Sequence, residues 1–122
     1  SSITQKAAAA ALTGPQEPVV EMLAEYRKRR DALHGWLSAD PRIRIVRPEG
    51  AFYLFPDMSG VLADAGYASS NDFAEALLNE ARVAVTPGEA FNAPGFIRLS
   101  YATSMDILRE GSARLLEFIS RH

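Results

Sequence analysis

A chain of 122 residues, 48 % of them hydrophobic, has enough material for one domain with a true core and too little for two. Its formal net charge of -2 speaks against nucleic acid as a partner, because phosphate binding leans on clustered Lys and Arg. The absence of cysteine excludes disulfides, thiolate metal sites and cysteine nucleophiles and fits a cytoplasmic protein, and no apolar run reaches the length of a membrane span.

The chain opens without Met and directly in a helical pattern, as expected of a piece of a longer protein. The spacing predicts a helix over 1–12, with Thr4 able to cap and Lys6 leading five alanines that let another backbone approach closely. Thr13, Gly14 and Pro15 end it, and Pro18 suits the first turn of a second helix. Val19, Leu23, Tyr26, Arg30, Leu33 and Leu37 then recur at steps of four and three, a helical stripe with one charged member. The charge run 27–31 reads as a solvated face, and Asp40-Pro41 closes the helix.

Residues 42–46 alternate as a strand, 47–50 form a Pro-Gly turn, and the apolar run 51–55 reads as a buried strand, so the two strands make an antiparallel hairpin. Residues 57–68 read as a loop with one short turn at 61–63. Ser69 or Ser70 starts the next helix, with Asp72 completing an approximate capping box, and Phe73, Ala74, Leu77, Leu78 and Ala81 form its buried face. A short strand over 82–85 leads through a loop with two Pro-Gly steps to a strand over 96–101. Ser104 caps a closing helix whose inward residues are Ile107, Leu108, Leu115, Leu116, Phe118 and Ile119, with Gly111 marking a close approach. The order predicts an α+β fold: a two-layer sandwich of a small, mostly antiparallel sheet with helices packed against it.

Chemistry-bearing residues are few. His34 on the second helix and His122 at the end share no ligand spacing, so neither a metal site nor a Ser-His-Asp triad is indicated. Gly88 and Gly95 are too far apart to cradle phosphate, and Asp57, Asp64 and Asp72 sit where loops and caps place carboxylates. Lys6 and Lys28 have exposed helical contexts, poor settings for a Schiff base, which needs a desolvated amine. That leaves Arg98, alone on an apolar strand with Phe96 and Ser100 on its face. Two readings stay open from the residues themselves. Either its stem lies along a half-buried strand whose face meets water, or its guanidinium is a fixed fork that grips a carboxylate through two parallel hydrogen bonds.

Three linked segments carry a resemblance: Pro48-Glu49-Gly50-Ala51-Phe52-Tyr53-Leu54-Phe55-Pro56, Val83-Ala84-Val85-Thr86-Pro87-Gly88-Glu89-Ala90-Phe91 and Ile97-Arg98-Leu99-Ser100-Tyr101-Ala102. In order and spacing they resemble the C-terminal part of class I/II aminotransferases, the pyridoxal-phosphate enzymes of the aspartate aminotransferase type. The resemblance implies the small domain of that fold over 1–122, with 1–14 belonging to the helix that connects it to a large domain missing here. It implies that Arg98 holds the substrate α-carboxylate and that amino-acid and 2-oxo-acid substrates and a second subunit are the partners of the parent enzyme. Pyridoxal phosphate would be held by the large domain, so this piece alone is expected neither to bind the cofactor tightly nor to transaminate. An apolar docking patch is expected around residues 7–12 or the aromatic strand. The chain departs from the family pattern at Asn92, where many members carry glycine; Asn tolerates positive φ. A stand-alone α+β module binding a small carboxylate or a partner protein is the other reading, and C–S lysis or decarboxylation on the same fold is a third.

Overall fold

The computed structural model describes residues 1–121, so His122 lies outside the described residues. Helix α1 (Ser2–Thr13) buries none of its side chains. Its last turn is closed by Gly14, whose N–H donates to the Ala10 carbonyl from an extended conformation, and by the Thr13 hydroxyl, which donates to Ala9 O at 2.8 Å. Helix α2 (Glu17–Leu37) follows with Pro18 in its first turn. Only the C-terminal part of its stripe reaches the core: Leu33 and Leu37 are buried, Tyr26 and Arg30 half-buried, Val19 and Leu23 exposed.

The charge run on α2 is less solvated than its composition suggests. Arg29 and Arg30 are half-buried. Arg30 donates to Asp31 Oδ1 at 2.8 Å and to the Pro48 carbonyl at 3.2 Å, and Arg47 donates to the same Asp31 oxygen at 2.8 Å. These bonds pull residues 47–48 onto the helix. They explain why 42–46 is not a strand and the expected hairpin does not form. Its pairing is reduced to one antiparallel bridge, Arg44 to Asp57, after which the chain leaves for α2 with Val46 exposed. Ala51, at positive φ, completes the turn.

Strand β1 (Tyr53–Leu54) pairs antiparallel with β3 (Ile97–Ser100), which sits between β1 and β2 (Thr86–Pro87). The β1–β3 ladder runs beyond the regular strands in one register: Tyr101 N–H donates to Phe52 O, Ile97 N–H to Pro56 O, and Asp57 bridges Phe96. The aromatic strand over 51–55 therefore exists, with the arginine strand rather than 42–46 as its neighbour. On the other side Thr86 faces Arg98 and Pro87 faces Ile97. The strand expected over 82–85 is displaced to 86–87, because Arg82 turns into the left-handed region and starts the segment away from any partner strand.

The predicted loop over 57–68 contains α3 (Ser59–Ala65), which starts where Asp57 Oδ1 accepts the Ser59 N–H and stops at Gly66 with φ 73. Helix α4 (Ser70–Ala76) begins at the expected capping box, Ser69 Oγ accepting the Asp72 N–H, and continues into a single π turn (Leu77–Ala81). Helix α5 (Met105–Ser120) is capped by Ser104, whose Oγ accepts the Ile107 N–H.

The core lies between the sheet face carrying Leu54, Ile97 and Tyr101 and the helices α2, α4 and α5, which contribute Leu33, Leu37, Phe73, Leu77, Leu115 and Phe118. This is the α+β two-layer arrangement. Ile107 and Leu78 are exposed rather than inward, and Gly111 faces open space instead of a close neighbour. Among the described residues no helix is long and apolar enough to cross a membrane.

Candidate functional site

The alternation of β3 places Ile97 and Tyr101 in the core and turns Phe96, Arg98 and Ser100 to the opposite face. Across the ladder the same face is continued by Tyr53 and Phe55, and a third contribution comes from the loop after β2. There Gly88–Phe91 makes a short 3₁₀ turn and Asn92 closes it at φ 53, the conformation its side chain tolerates. Gly88 opens the turn because nothing larger fits: a Cβ would stand 2.0 Å from Ala93 O and 2.7 Å from Phe96 O.

Arg98 is half-buried at the centre of this face. Its guanidinium carbon lies 4.5 Å from the Tyr53 ring centroid and 4.7 Å from that of Phe91. Two aromatic rings at this range each contribute about 0.5–1 kcal/mol where water has access, and more when it is excluded. Phe55 meets Phe91 edge-on at 5.9 Å and stacks on Phe96 at 5.1 Å, so the rings that flank the arginine are themselves braced. Among the described residues no carboxylate pairs with Arg98. A guanidinium flanked by aromatic rings, with its N–H groups unclaimed, is arranged to accept a planar anion from outside, and a carboxylate matches its fork.

The sequence singles out Arg98 and offers Phe52 and Tyr53 either as flanks of the site or, in first place, as core packing; Phe91 enters only as part of a motif, and the structure sets Tyr53, not Phe52, against the guanidinium. Their role depends on a ladder between residues far apart in the chain and on a turn that folds Phe91 back over it. The alternation of the aromatic run, Tyr53 and Phe55 on one face, was the available signal. Of the other titratable candidates, Asp57 stands opposite Phe96 at the end of this face, while Lys6, Lys28 and His34 stand on helices α1 and α2. Lys28 is an exposed partner of Glu25, and Lys6 is on α1, where nothing is buried. His34 is half-buried on α2, and among the described residues no group of His, Asp and Glu is placed to hold a metal ion. Asp57 is bound into the fold: burial would raise its pKa, but hydrogen bonds from Ser59 and the Arg44 ion pair hold it below the ordinary carboxylate value.

A concavity of about 370 Å³ is walled by Leu33, Val83, Leu99, Ile107, Leu108 and Arg114 and does not include Arg98. The candidate site lies at Arg98, because a guanidinium held by rings and without an anion among the described residues is a recognition element, whereas that concavity gathers core-edge side chains.

Comparison with known proteins gives the family of the chain and its fold. Residues 1–115 match the family Aminotransferase class I and II. The chain is 44 % identical over 119 residues to an aspartate aminotransferase of Bacillus sp. (strain YM-2), covering 98 % of this chain and 30 % of that protein. Its fold superposes on the aspartate aminotransferase of Rhizobium meliloti with a TM-score of 0.89 at 37 % identity, covering 99 % of this chain and 32 % of that one. It superposes on the aromatic aminotransferase of Pyrococcus horikoshii with a TM-score of 0.84 at 39 % identity, covering 96 % and 31 %. The chain thus spans about 30 % of the length of these relatives. With residues 1–115 matched to the family model and nearly its whole length shared with these relatives, this chain belongs to the class I and II aminotransferase family.

Proposed function

We propose that residues 1–122 are the C-terminal small domain of a pyridoxal-phosphate-dependent aminotransferase and that Arg98 binds the α-carboxylate of its amino-acid and 2-oxo-acid substrates. The observation that carries this reading is the Arg98 guanidinium, flanked by Tyr53 and Phe91 and free of any carboxylate among the described residues. An amino-acid substrate must be held in one orientation while a bond at its α-carbon is broken, and a bidentate fork on a strand fixes orientation better than an ammonium on a flexible stem.

The donor set of this chain does not fit the cofactor itself. Neither lysine is desolvated, and the glycine that precedes Arg98 opens a four-residue 3₁₀ turn rather than a helix whose N–H groups could cradle a phosphate. The groups that hold pyridoxal phosphate are therefore assigned to the remainder of the parent enzyme, and residues 1–122 alone are assigned no transaminase activity. Helix α1 supports the division: residues 1–14 bury nothing within this chain and suit a connecting helix that packs elsewhere. A homodimeric parent enzyme in the cytoplasm, active in amino-acid metabolism, completes the proposal, with the cysteine-free composition in keeping.

The test is Arg98→Ala and Arg98→Lys in the full-length enzyme. Loss of a charge-assisted bidentate pair is expected to lower kcat/KM for amino-acid donors by about 100-fold or more, with Lys restoring only part of it. Turnover and KM unchanged in Arg98→Ala would overturn the assignment.

A further inference from the structure

The geometry points to Glu89 as a positioning residue for Arg98, acting through Phe91; this rests on the carboxylate-binding reading of Arg98 given above. Glu89 is a buried-side carboxylate in the turn that carries Phe91, two residues further on. One oxygen, Oε1, accepts the Ser70 N–H at 2.8 Å at the first residue of α4. The other, Oε2, is closed off from solvent and has no hydrogen-bond partner among the described residues.

Leaving a carboxylate oxygen buried and unpaired is costly. The cost is borne here at one place, where the loop before β3 is tied to the rest of the domain. Ser70 is itself wholly buried and uses its N–H and its Oγ on that loop: the N–H goes to Glu89, and the Oγ accepts the Gly95 N–H at 2.8 Å. The 88–95 segment is thus fastened to a single residue of α4 near both of its ends. The Gly95 carbonyl also accepts the Met58 N–H at 2.7 Å, and within the segment Ala93 N–H donates to Gly88 O at 2.9 Å.

Between these fastenings Phe91 stands out from the turn. It is exposed except where it meets Phe55 and the Arg98 guanidinium. Nothing in its own burial holds it there; the turn does. Removing the Glu89 carboxylate leaves the Ser70 N–H without its acceptor and releases the turn at the end nearer Phe91. The ring then leaves Arg98, and the guanidinium samples orientations that no longer match a carboxylate.

Because the substrate carboxylate is held in the ground state as well as the transition state, the loss falls on KM. In the full-length holoenzyme, Glu89→Ala is expected to raise KM for an amino-acid donor about 10-fold with a much smaller change in kcat. Glu89→Gln keeps an oxygen acceptor for Ser70 and restores KM to within about 3-fold of wild type. Phe91→Leu should reproduce the Glu89→Ala effect, and the double variant should add nearly nothing, as two substitutions on one path do. Full additivity with Phe91→Leu, equal losses in kcat and KM, or no rescue by Gln overturns the role. If Glu89→Ala does not fold, Ser70→Ala removes the other fastening and is read by the same criteria. The outcomes separate cleanly from the parent proposal: Arg98→Ala with turnover and KM both unchanged sinks both, whereas Arg98→Ala with a raised KM and Glu89→Ala without one sinks this inference alone.

Discussion

Arg98 and Asp31 show how differently two charged side chains are used within one small domain. Arg98 has aromatic neighbours and no anion among the described residues, whereas Asp31 is claimed from two sides. Hydrogen bonds from Arg30 and then Arg47 hold the Asp31 carboxyl at a pKa of about 2. Its unfolded value is roughly 3.9, so the pairing stabilises the fold fully above that pH and is lost as pH falls through the folded value. A carboxyl-carbon NMR titration should place the Asp31 midpoint near 2, and Arg47→Ala should move it upward. A midpoint at the ordinary carboxylate position would show that the pair does not persist in solution. Tyr101 is a second residue-scale case. Burial raises its pKa, and its hydroxyl donates to the Ala51 carbonyl at 2.9 Å, tying the positive-φ turn to the sheet. Tyr101→Phe is expected to cost about 1 kcal/mol in a denaturant titration while leaving the ring's packing in place.

At the scale of elements, the informative contrast is between two glycines. Gly88 opens the turn before Arg98 with backbone oxygens where a side chain would be, and neither Ala93 O nor Phe96 O can move without breaking the β3 connection. Gly88→Ala should therefore destabilise by about 3 kcal/mol or prevent folding. Gly111 faces open space inside α5, and Gly111→Ala should stabilise by about 1 kcal/mol through helix propensity alone. Paired thermal melts check both signs. Elements with local signals were legible in the chain: the capping serines Ser69 and Ser104 mark the true starts of α4 and α5. Where a signal had to compete with a distant partner, it failed. Residues 42–46 alternate as a strand should, yet Arg47 and Pro48 are drawn to α2. The segment over 57–68 reads as a loop in sequence because it holds Gly60 and Gly66 and shows no clear period, although Asp57 ahead of Ser59 and Gly66 behind Ala65 are a start and a stop.

For the whole molecule, α1 is the feature that the rest of the chain does not account for. A 12-residue helix that buries nothing, with Ile3 and Leu12 at least four-fifths exposed, is followed on α2 by exposed Val19, Val20, Met22 and Leu23. Residues 7–12, where an apolar patch is expected, are exposed, as are Phe52 and Phe55 on the aromatic strand to a smaller degree. Such a surface favours association. Removing residues 1–14 is expected to leave the thermal midpoint within about 2 °C, since no core contact is lost, and to reduce concentration-dependent self-association in sedimentation. A large fall in the midpoint would show that α1 packs on this domain after all.

The sequence by itself determined the α+β class, the caps of α4 and α5, and the strand on which Arg98 stands with its side chain turned from the core. Each of these is written in neighbours a few residues apart, in alternation, in helical spacing and in the side chains that satisfy helix ends. Only the tertiary structure decided what surrounds Arg98. That Tyr53 flanks it follows from β1 pairing with β3 instead of with 42–46. That Phe91 flanks it follows from a turn fastened to α4 through Glu89 and Ser70. The strands that pair and the Ser70 fastening lie far apart along the chain, and which distant strand or helix wins a contact is set by the packing of the whole core, a quantity no local pattern contains.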